Sequence, residues 1–113
     1  MGFIIQASDV PWSKWRGPEW PSRRTKVVGD KEKGAYVTFA ERKAGDLGKA
    51  HSHTADEVMY ILEGDMMVGD QHIRQGGVFY AEKNTVYGPI RPGQNGVKFM
   101  NVRFEKAEMD VKE

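Results

Sequence analysis

Several common sequence features are missing from this chain, and each absence excludes a class of structure or function. The 113 residues include no cysteine, which excludes disulfide bonds and thiol chemistry. No apolar run is long enough for a transmembrane helix, and the beginning MGFIIQASDV lacks the basic segment of a signal peptide. Seventeen basic residues nearly balance sixteen acidic ones, so the charge indicates neither a nucleic-acid partner nor a membrane partner. We therefore expect a cytoplasmic protein.

A helical repeat of apolar residues is also missing, and the signals for β-strands dominate. Thirteen glycines separate short runs rich in β-branched, aromatic and methionine residues. The runs AYVTFAERKA, EVMYILE, VFYAE and VKFMNVRFE predict strands, while Glu63–Asp65 and Val68–Gln71 predict tight hairpin turns. Many short strands with frequent turns predict a single all-β domain, built as a small antiparallel barrel or a sandwich.

The first 33 residues differ from the rest. The segment VPWSKWRGPEWPSRR carries all three tryptophans and three of the five prolines, and proline is excluded from central strands. We predict an extended arm over residues 1–33, a barrel core over 34–104 and a charged tail over 105–113. The indoles would cover an open side of the barrel or a partner subunit. A lid over a ligand, or a surface that stacks nucleic-acid bases, is the alternative.

The run EVMYILE is apolar on both faces of the strand that it predicts. Val58, Tyr60 and Leu62 form one face, and Met59 and Ile61 form the other. A strand with one face in water would alternate apolar and polar residues. One face therefore lies in the interior, and the arm or a second subunit covers the other. On this basis we predict a homodimer.

Two of the three histidines lie two residues apart, at His51 and His53. Because side chains alternate along a strand, both imidazoles project to one face, about 7 Å apart. Residues 54–56 are polar and suit a turn, after which Glu57 opens a strand that can return beside the first. Two imidazoles and a carboxylate form a ligand set for a divalent transition metal. For a histidine pair alone, hydrogen bonding without a metal would be the better interpretation.

The spacing around these residues makes the signal specific. Gly45, His51, His53, Glu57 and Gly64 match the pattern G-x5-H-x-H-x3-E-x6-G at every fixed position. The pattern resembles the first motif of the cupin family, small β-barrels of the jelly-roll (double-stranded β-helix) type. The resemblance implies that the two histidines and the glutamate bind a metal. Fe²⁺ is favoured, while Mn²⁺, Ni²⁺, Co²⁺ and Zn²⁺ accept the same ligands.

The second cupin motif, G-x5-P-x-G-x2-H-x3-N, is degenerate in this chain. Aligned from Gly76, its histidine position is Tyr87 and its second glycine position is Asn84, which tolerates a left-handed backbone. Tyr87 could ligate the metal as a phenolate, donate a hydrogen bond to a substrate or water beside a three-ligand metal, or simply fill the barrel. We favour the hydrogen-bond donor, as a catalytic residue. His72 follows a turn and is expected on the surface, although it could replace the missing ligand.

Strand alternation predicts further pocket residues. If Glu57 points inward, so do Met59 and Ile61. If Tyr87 points inward, so does Thr85.

The last strand, VKFMNVRFE, allows two orientations. We predict that Met100, Val102 and Phe104 face the core, with Met100 at the pocket. The opposite orientation would place Asn101 and Arg103 in the cavity, where they would anchor an acidic substrate.

The resemblance implies a metal-dependent enzyme that acts on a small organic molecule inside the barrel. A dioxygenase-like reaction is favoured because two histidines and one carboxylate typify non-haem iron sites. Isomerase and lyase reactions are alternatives. The competing hypothesis is a non-catalytic barrel that binds a metal or a small molecule, as a sensor module does.

Overall fold

A computed structural model describes residues 4–15 and 22–111 of the chain. These residues form eight β-strands and one short helix. The strands are β1 (Arg23–Gly29), β2 (Tyr36–Arg42), β3 (His51–His53), β4 (Glu57–Val68), β5 (Gln71–Arg74), β6 (Val78–Ala81), β7 (Ile90–Arg103) and β8 (Met109–Val111).

Every strand pair is antiparallel, which confirms the prediction of an all-β antiparallel fold. One sheet has the order β1-β2-β7-β4-β5, with β6 pairing to β4 beside this path, and a second sheet consists of β3 and β8. Within the described ranges, the helical content is one 3-10 turn at Ala7–Asp9. No helix in the same ranges is long and apolar enough to cross a membrane.

Strand β4 runs through one of the two predicted hairpin turns. Val68–Gln71 does close the hairpin between β4 and β5. Glu63–Asp65 is instead an irregularity within β4, where its register with β7 shifts. Gly64 takes a positive φ of 75° there, and a Cβ at this position would overlap the carbonyl oxygen of Gly96. The glycine therefore lets two backbones approach, whereas a turn would have ended the strand.

The sheet begins earlier than the predicted core boundary at residue 34. Strand β1 pairs with β2 along its whole length, from Arg23 opposite Arg42 to Gly29 opposite Tyr36. The predicted arm is therefore a strand in its last third. The predicted tail likewise contains β8, which pairs with β3. Both errors come from short segments whose charged residues hide the strand pattern.

The described part of the arm lies against the outer side of β1. Trp12 and Trp15 flank the Arg24 guanidinium at 4.7 and 4.6 Å from their ring centroids, and Lys26 lies 4.8 Å over Trp12. The indoles therefore cover sheet surface through cation–π contacts. Trp20 lies outside the described residues.

The large sheet has a buried inner face and a partly exposed outer face. The core lies on the inner face and includes Ala40, Met59, Ile61, Met66, Ile90, Val97 and Phe99. On the outer face of β4 and β6, Tyr60 is 38% exposed, Val78 60% and Tyr80 58%. The described part of the arm therefore leaves some of the outer apolar face uncovered.

The predicted orientation of β7 is wrong. Asn101 and Arg103 are buried on the inner face, at 8% and 7% exposure, whereas Phe104 is 59% exposed. Met100 and Val102 lie half-buried on the outer face. The pairing register explains the inversion, because Arg103 lies directly opposite Glu57 and a buried carboxylate needs a partner.

Candidate functional site

Strand β3 positions the two histidines, although not by the hairpin that the sequence predicts. It pairs with β8 rather than with β4. On its other side, His51 forms an isolated backbone bridge with Tyr87, with N to O distances of 3.0 and 2.9 Å. The second motif therefore lies beside the first. Asn84, in the preceding loop, has the positive φ of 64° that its alignment to a glycine predicts.

The His51 ring has a fixed tautomer. Its Nδ1 lies 2.8 Å from the carbonyl oxygen of Lys49, and a carbonyl can only accept, so Nδ1 carries the hydrogen. The lone pair on Nε2 then faces the Tyr87 hydroxyl at 3.1 Å. An imidazole anchored in this way by its other nitrogen has the arrangement of a metal ligand.

Glu57 lies at the centre of the site and is 1% exposed. The Tyr87 hydroxyl donates a short hydrogen bond to its Oε1. Its Oε2 accepts from Asn101 Nδ2 at 2.7 Å and from Arg103 Nη2 at 2.8 Å. The buried carboxylate is therefore neutralised by one guanidinium and satisfied by two further donors.

His53 shares the Arg103 guanidinium with Glu57. Arg103 Nη2 lies 3.0 Å from His53 Nε2, and an arginine can only donate, so Nε2 is the acceptor. Burial, followed by the nearby Arg103 charge, lowers the pKa of His53 to about 4. His53 is therefore neutral at pH 7, as a metal-ligating imidazole must be.

Tyr87 is a hydrogen-bond donor in this arrangement. Burial, and then the neighbouring Glu57 carboxylate, raise the pKa of its hydroxyl well above the ordinary value of about 10. The phenolate form is therefore disfavoured, and the hydroxyl keeps its hydrogen. Its ring packs against His51 and Phe79, with centroids 4.6 and 4.9 Å away.

The lowered pKa of His53 predicts a loss of stability in acid for the metal-free protein. In the unfolded chain the imidazole gains a proton near pH 6.5, but in the folded chain only near pH 4. The unfolded state binds more protons between these values, so the free energy of unfolding falls as the pH drops from 6.5 to 4, by about 1–2 kcal/mol because solvent screens this half-buried ring. Urea denaturation at half-unit pH steps measures this slope. His53→Gln should flatten the pH dependence between 4 and 6.5. An unchanged slope in this variant would show that His53 is not the group responsible.

A cavity of about 390 Å³ opens beside these residues, a size that suits a small organic molecule. Its walls combine charged and polar side chains with apolar ones. The lining includes Arg23, Arg42, Lys49, His51, His53, Met59, Tyr87, Ile90, Phe99, Asn101, Arg103, Met109 and Val111.

Three of the four predicted pocket residues lie elsewhere. Met59 lines the cavity, and Ile61 is fully buried in the core behind it. Thr85 is exposed in the loop before Tyr87, where strand alternation does not apply. Met100 lies on the outer face of β7, opposite Phe39. His72 is on the surface, 2.6 Å from Asp65, and takes no part in the cavity.

The sequence prediction missed the arginines of the cavity, except Arg103 in the orientation it did not favour. Arg42 ends β2 on the inner face, and Arg23 pairs with the buried Asp46 at 2.9 Å. The sequence did contain one signal for an arginine in the site: the carboxylate of Glu57, predicted to point inward, requires a cationic partner.

The predicted metal ligands do come together, but as a hydrogen-bonded cluster. Within residues 4–15 and 22–111, no three His, Cys, Asp or Glu side chains have the arrangement of a formed metal site. The reason is visible in the contacts. The Tyr87 hydroxyl lies between His51 and Glu57, and Arg103 lies between Glu57 and His53.

The sequence also matches the profile of the ChrR cupin-like domain family over residues 1–107. The chain belongs to this family. The cupin family that the first motif predicts is thereby confirmed. None of the curated proteins matches this cupin sequence.

Solved structures share the jelly-roll fold of this cupin. The polyketide cyclase RemF from Streptomyces resistomycificus is 17% identical with a TM-score of 0.79, and the match covers 100% of this chain and 87% of that one. A protein provisionally assigned as an acetylacetone dioxygenase from Methylibium petroleiphilum PM1 is 16% identical with a TM-score of 0.79, covering 100% and 82%. These likenesses confirm the predicted fold class.

A third similar structure is that of Rhodobacter sphaeroides SigE in complex with the anti-sigma factor ChrR. It is 14% identical with a TM-score of 0.68, and the match covers 87% of this cupin and 51% of the matched chain. At this identity the likeness establishes the fold.

Proposed function

We propose that this cupin binds a divalent transition metal, with Fe²⁺ favoured, through His51, His53 and Glu57, and acts on a small organic molecule in the cavity. An oxygenase-like reaction is the favoured chemistry. One observation carries the proposal. The Tyr87 hydroxyl lies between two acceptors, Nε2 of His51 and Oε1 of Glu57, but has one hydrogen to donate. Because Tyr87 donates to Glu57, the Nε2 lone pair of His51 accepts no hydrogen from the hydroxyl, and it is a donor atom suited to a cation.

The groups behind these donor atoms also suit a bound metal. The Lys49 carbonyl orients His51, and Asn101 and Arg103 hold the far oxygen of Glu57. Ligating histidines and carboxylates are oriented by such hydrogen bonds in metal sites. His53 supplies the third donor when its Nε2 exchanges Arg103 for the metal. The side chains of the site are therefore suited to hold a divalent metal.

A bound metal would supply a Lewis acid, with open positions for substrate, O₂ or water. Tyr87 stays protonated, and with Glu57 Oε1 engaged by a metal its hydroxyl would instead donate a hydrogen bond to an oxygen atom of the substrate that gains negative charge. Arg103 holds Glu57 in one orientation, and the apolar walls at Met59 and Phe99 exclude water.

Metal titration tests the proposal. Chelator-treated protein is titrated with Mn²⁺, and anaerobically with Fe²⁺, by calorimetry. His51→Ala and His53→Ala should each weaken binding by more than about 100-fold, because even the loss of an outer hydrogen-bond partner costs about 10- to 100-fold. His72→Ala is the matched control, since this exposed histidine contacts Asp65 instead.

Unchanged metal affinity in His51→Ala would refute the proposed ligands, and loss of the metal in His72→Ala would move the site. O₂ consumption with candidate substrates then separates an oxygenase from a non-catalytic binding barrel, which would bind a ligand without turnover.

The exposed outer face supports a second proposal, that two copies of this chain form a homodimer. Val58 lies opposite Tyr80, and Tyr60 opposite Val78, so these apolar side chains share one face. The described arm contacts β1 instead, and a second copy is the partner that would cover β4 and β6. Tyr60→Lys should convert dimer to monomer in sedimentation velocity at micromolar concentration. Val86→Lys, at a 50% exposed loop position, should leave the dimer intact. A monomeric wild-type protein would contradict the proposal.

A further inference from the structure

The cavity contains a half-buried cation that forms no ion pair with the described residues. Arg23 is paired with Asp46, and Arg103 with Glu57. Arg42 lines the same cavity, yet no ion pair to it occurs within the described ranges. Its guanidinium stacks 5.3 Å from the centroid of the Phe99 ring. Burying part of a guanidinium without a directly paired carboxylate is costly, so Arg42 marks a position where a ligand of opposite charge would be stabilised.

Three residues that line this cavity carry unsatisfied polar atoms. Within the described residues, Nη1 of Arg42 and Nη1 of Arg103 are buried and have no hydrogen-bond partner, and Oδ1 of Asn101 is in the same state. Two of these three atoms are guanidinium donors, and all three residues line the cavity. Guanidinium groups bind carboxylates through paired, charge-assisted hydrogen bonds. Buried unsatisfied groups in a native protein require an explanation, and a bound ligand of opposite charge supplies one.

The apolar side chains of the cavity indicate the chemistry of the part of the ligand that is not bound to Arg42. Met59, Ile90 and Phe99 give the cavity apolar sides. A ligand that is charged throughout would place charges in contact with these apolar side chains, which is unfavourable. A ligand with a compact apolar body would bury that body against them. A divalent cation by itself would leave Arg42 without a counterion.

We propose that the cavity binds a small organic carboxylate, with its carboxylate on Arg42 and its apolar body against Met59, Ile90 and Phe99. The inference rests on the proposed function in that this cavity is the substrate site, and it names the substrate class. The body of the ligand then extends toward Tyr87, His51 and His53, which line the same cavity.

Calorimetric titration with benzoate and with its neutral isostere benzamide tests the inference. The 113-residue chain is titrated after chelator treatment and again after loading with Mn²⁺. Wild-type protein should bind benzoate at least about 10-fold more tightly than benzamide in both states, since a charge-assisted hydrogen bond is worth about 10- to 100-fold. Arg42→Met keeps the apolar stem, and it should remove this preference. Arg91→Met, at an exposed position of β7 outside the cavity, should keep it.

Equal affinity for the two probes in wild-type protein, or no binding of benzoate, would overturn the proposal. So would a preference that survives Arg42→Met. His51→Ala should lose the metal but keep the preference for benzoate; a preference lost in this variant would show that the carboxylate binds the metal instead. Failure of metal binding alone therefore refutes the proposed function and leaves the carboxylate site standing.

Thermal unfolding without ligand verifies that Arg42→Met is folded. Removing an unpaired buried charge should leave its Tm equal to or above that of the wild type. Benzoate should raise the Tm of the wild type and not that of the variant. A wild-type Tm that does not respond to benzoate counts against the proposal.

Discussion

Replacing Glu57 with alanine is expected to lower the free energy of unfolding by about 3–5 kcal/mol, which is the cost of breaking a buried ion pair by removing one partner. The variant leaves the Arg103 guanidinium buried without its carboxylate, and Asn101 and Tyr87 lose their acceptor. For a domain of this size the Tm should fall by on the order of 15 °C. Denaturant unfolding followed by tryptophan fluorescence measures the change.

The matched control is Glu82→Ala, because Glu82 is exposed in a loop and should change stability by less than about 0.5 kcal/mol. The double variant Glu57→Leu/Arg103→Leu removes both charges and should recover part of the loss, since the unpaired guanidinium is gone. A single variant that loses less than about 1 kcal/mol would show that the carboxylate is not held as described.

Tyr87→Phe is expected to keep the metal and lower turnover by about 100- to 1000-fold. The substitution retains the ring that packs against His51 and Phe79 and removes the hydroxyl, the donor to Glu57. Metal affinity should be maintained or increase, because Glu57 Oε1 no longer shares its lone pairs with the hydroxyl. Elemental analysis and single-turnover kinetics on the loaded protein measure the two effects separately.

Tyr80→Phe is the matched control, because it removes a hydroxyl from a tyrosine that is 58% exposed. It should change neither metal affinity nor turnover. Tyr87→His restores the family residue and should tighten metal binding while closing an open position, so turnover should fall. If Tyr87→Phe changes neither metal content nor turnover, the residue fills the barrel and has no part in the chemistry.

The core of the candidate site could be predicted because its signal is local. Fixed spacing within one segment places His51, His53 and Glu57 in order, and the adjoining strand pattern places Met59 inward. In the structure these side chains lie in one cluster with Tyr87. Local spacing does not depend on which strand pairs with which.

The other residues of the site are positioned by pairing between strands that are far apart in the sequence. A single sequence does not reveal this pairing. Met100 and Asn101 belong to opposite faces of β7, and both faces read as plausible because each carries two or more apolar residues. The choice is made by Glu57, whose burial requires Arg103 across the strand pair. Apolar content favoured one face, and the need to neutralise a buried carboxylate selected the other.

A similar limit explains the partner of β3. A short connection at residues 54–56 favours a hairpin with β4, yet the pairing is with β8, which is three residues long and follows a charged segment. Strand pairs of large sequence separation leave no mark on local composition. Arg42 was missed for the same reason, because its environment is built from β7 and from the loop before β3.

The pairing of β3 with β8 also sets an order of events during synthesis. His51 and His53 leave the ribosome well before Met109–Val111, the strand that holds them. Until those residues emerge, the nascent chain presents two histidines without their strand partner and without the wall that Met109 and Val111 give the cavity. Ligand capture is thus tied to completion of the domain. A ribosome-bound chain stalled before Met109 should retain neither metal nor carboxylate, while release of the finished chain should allow both to bind.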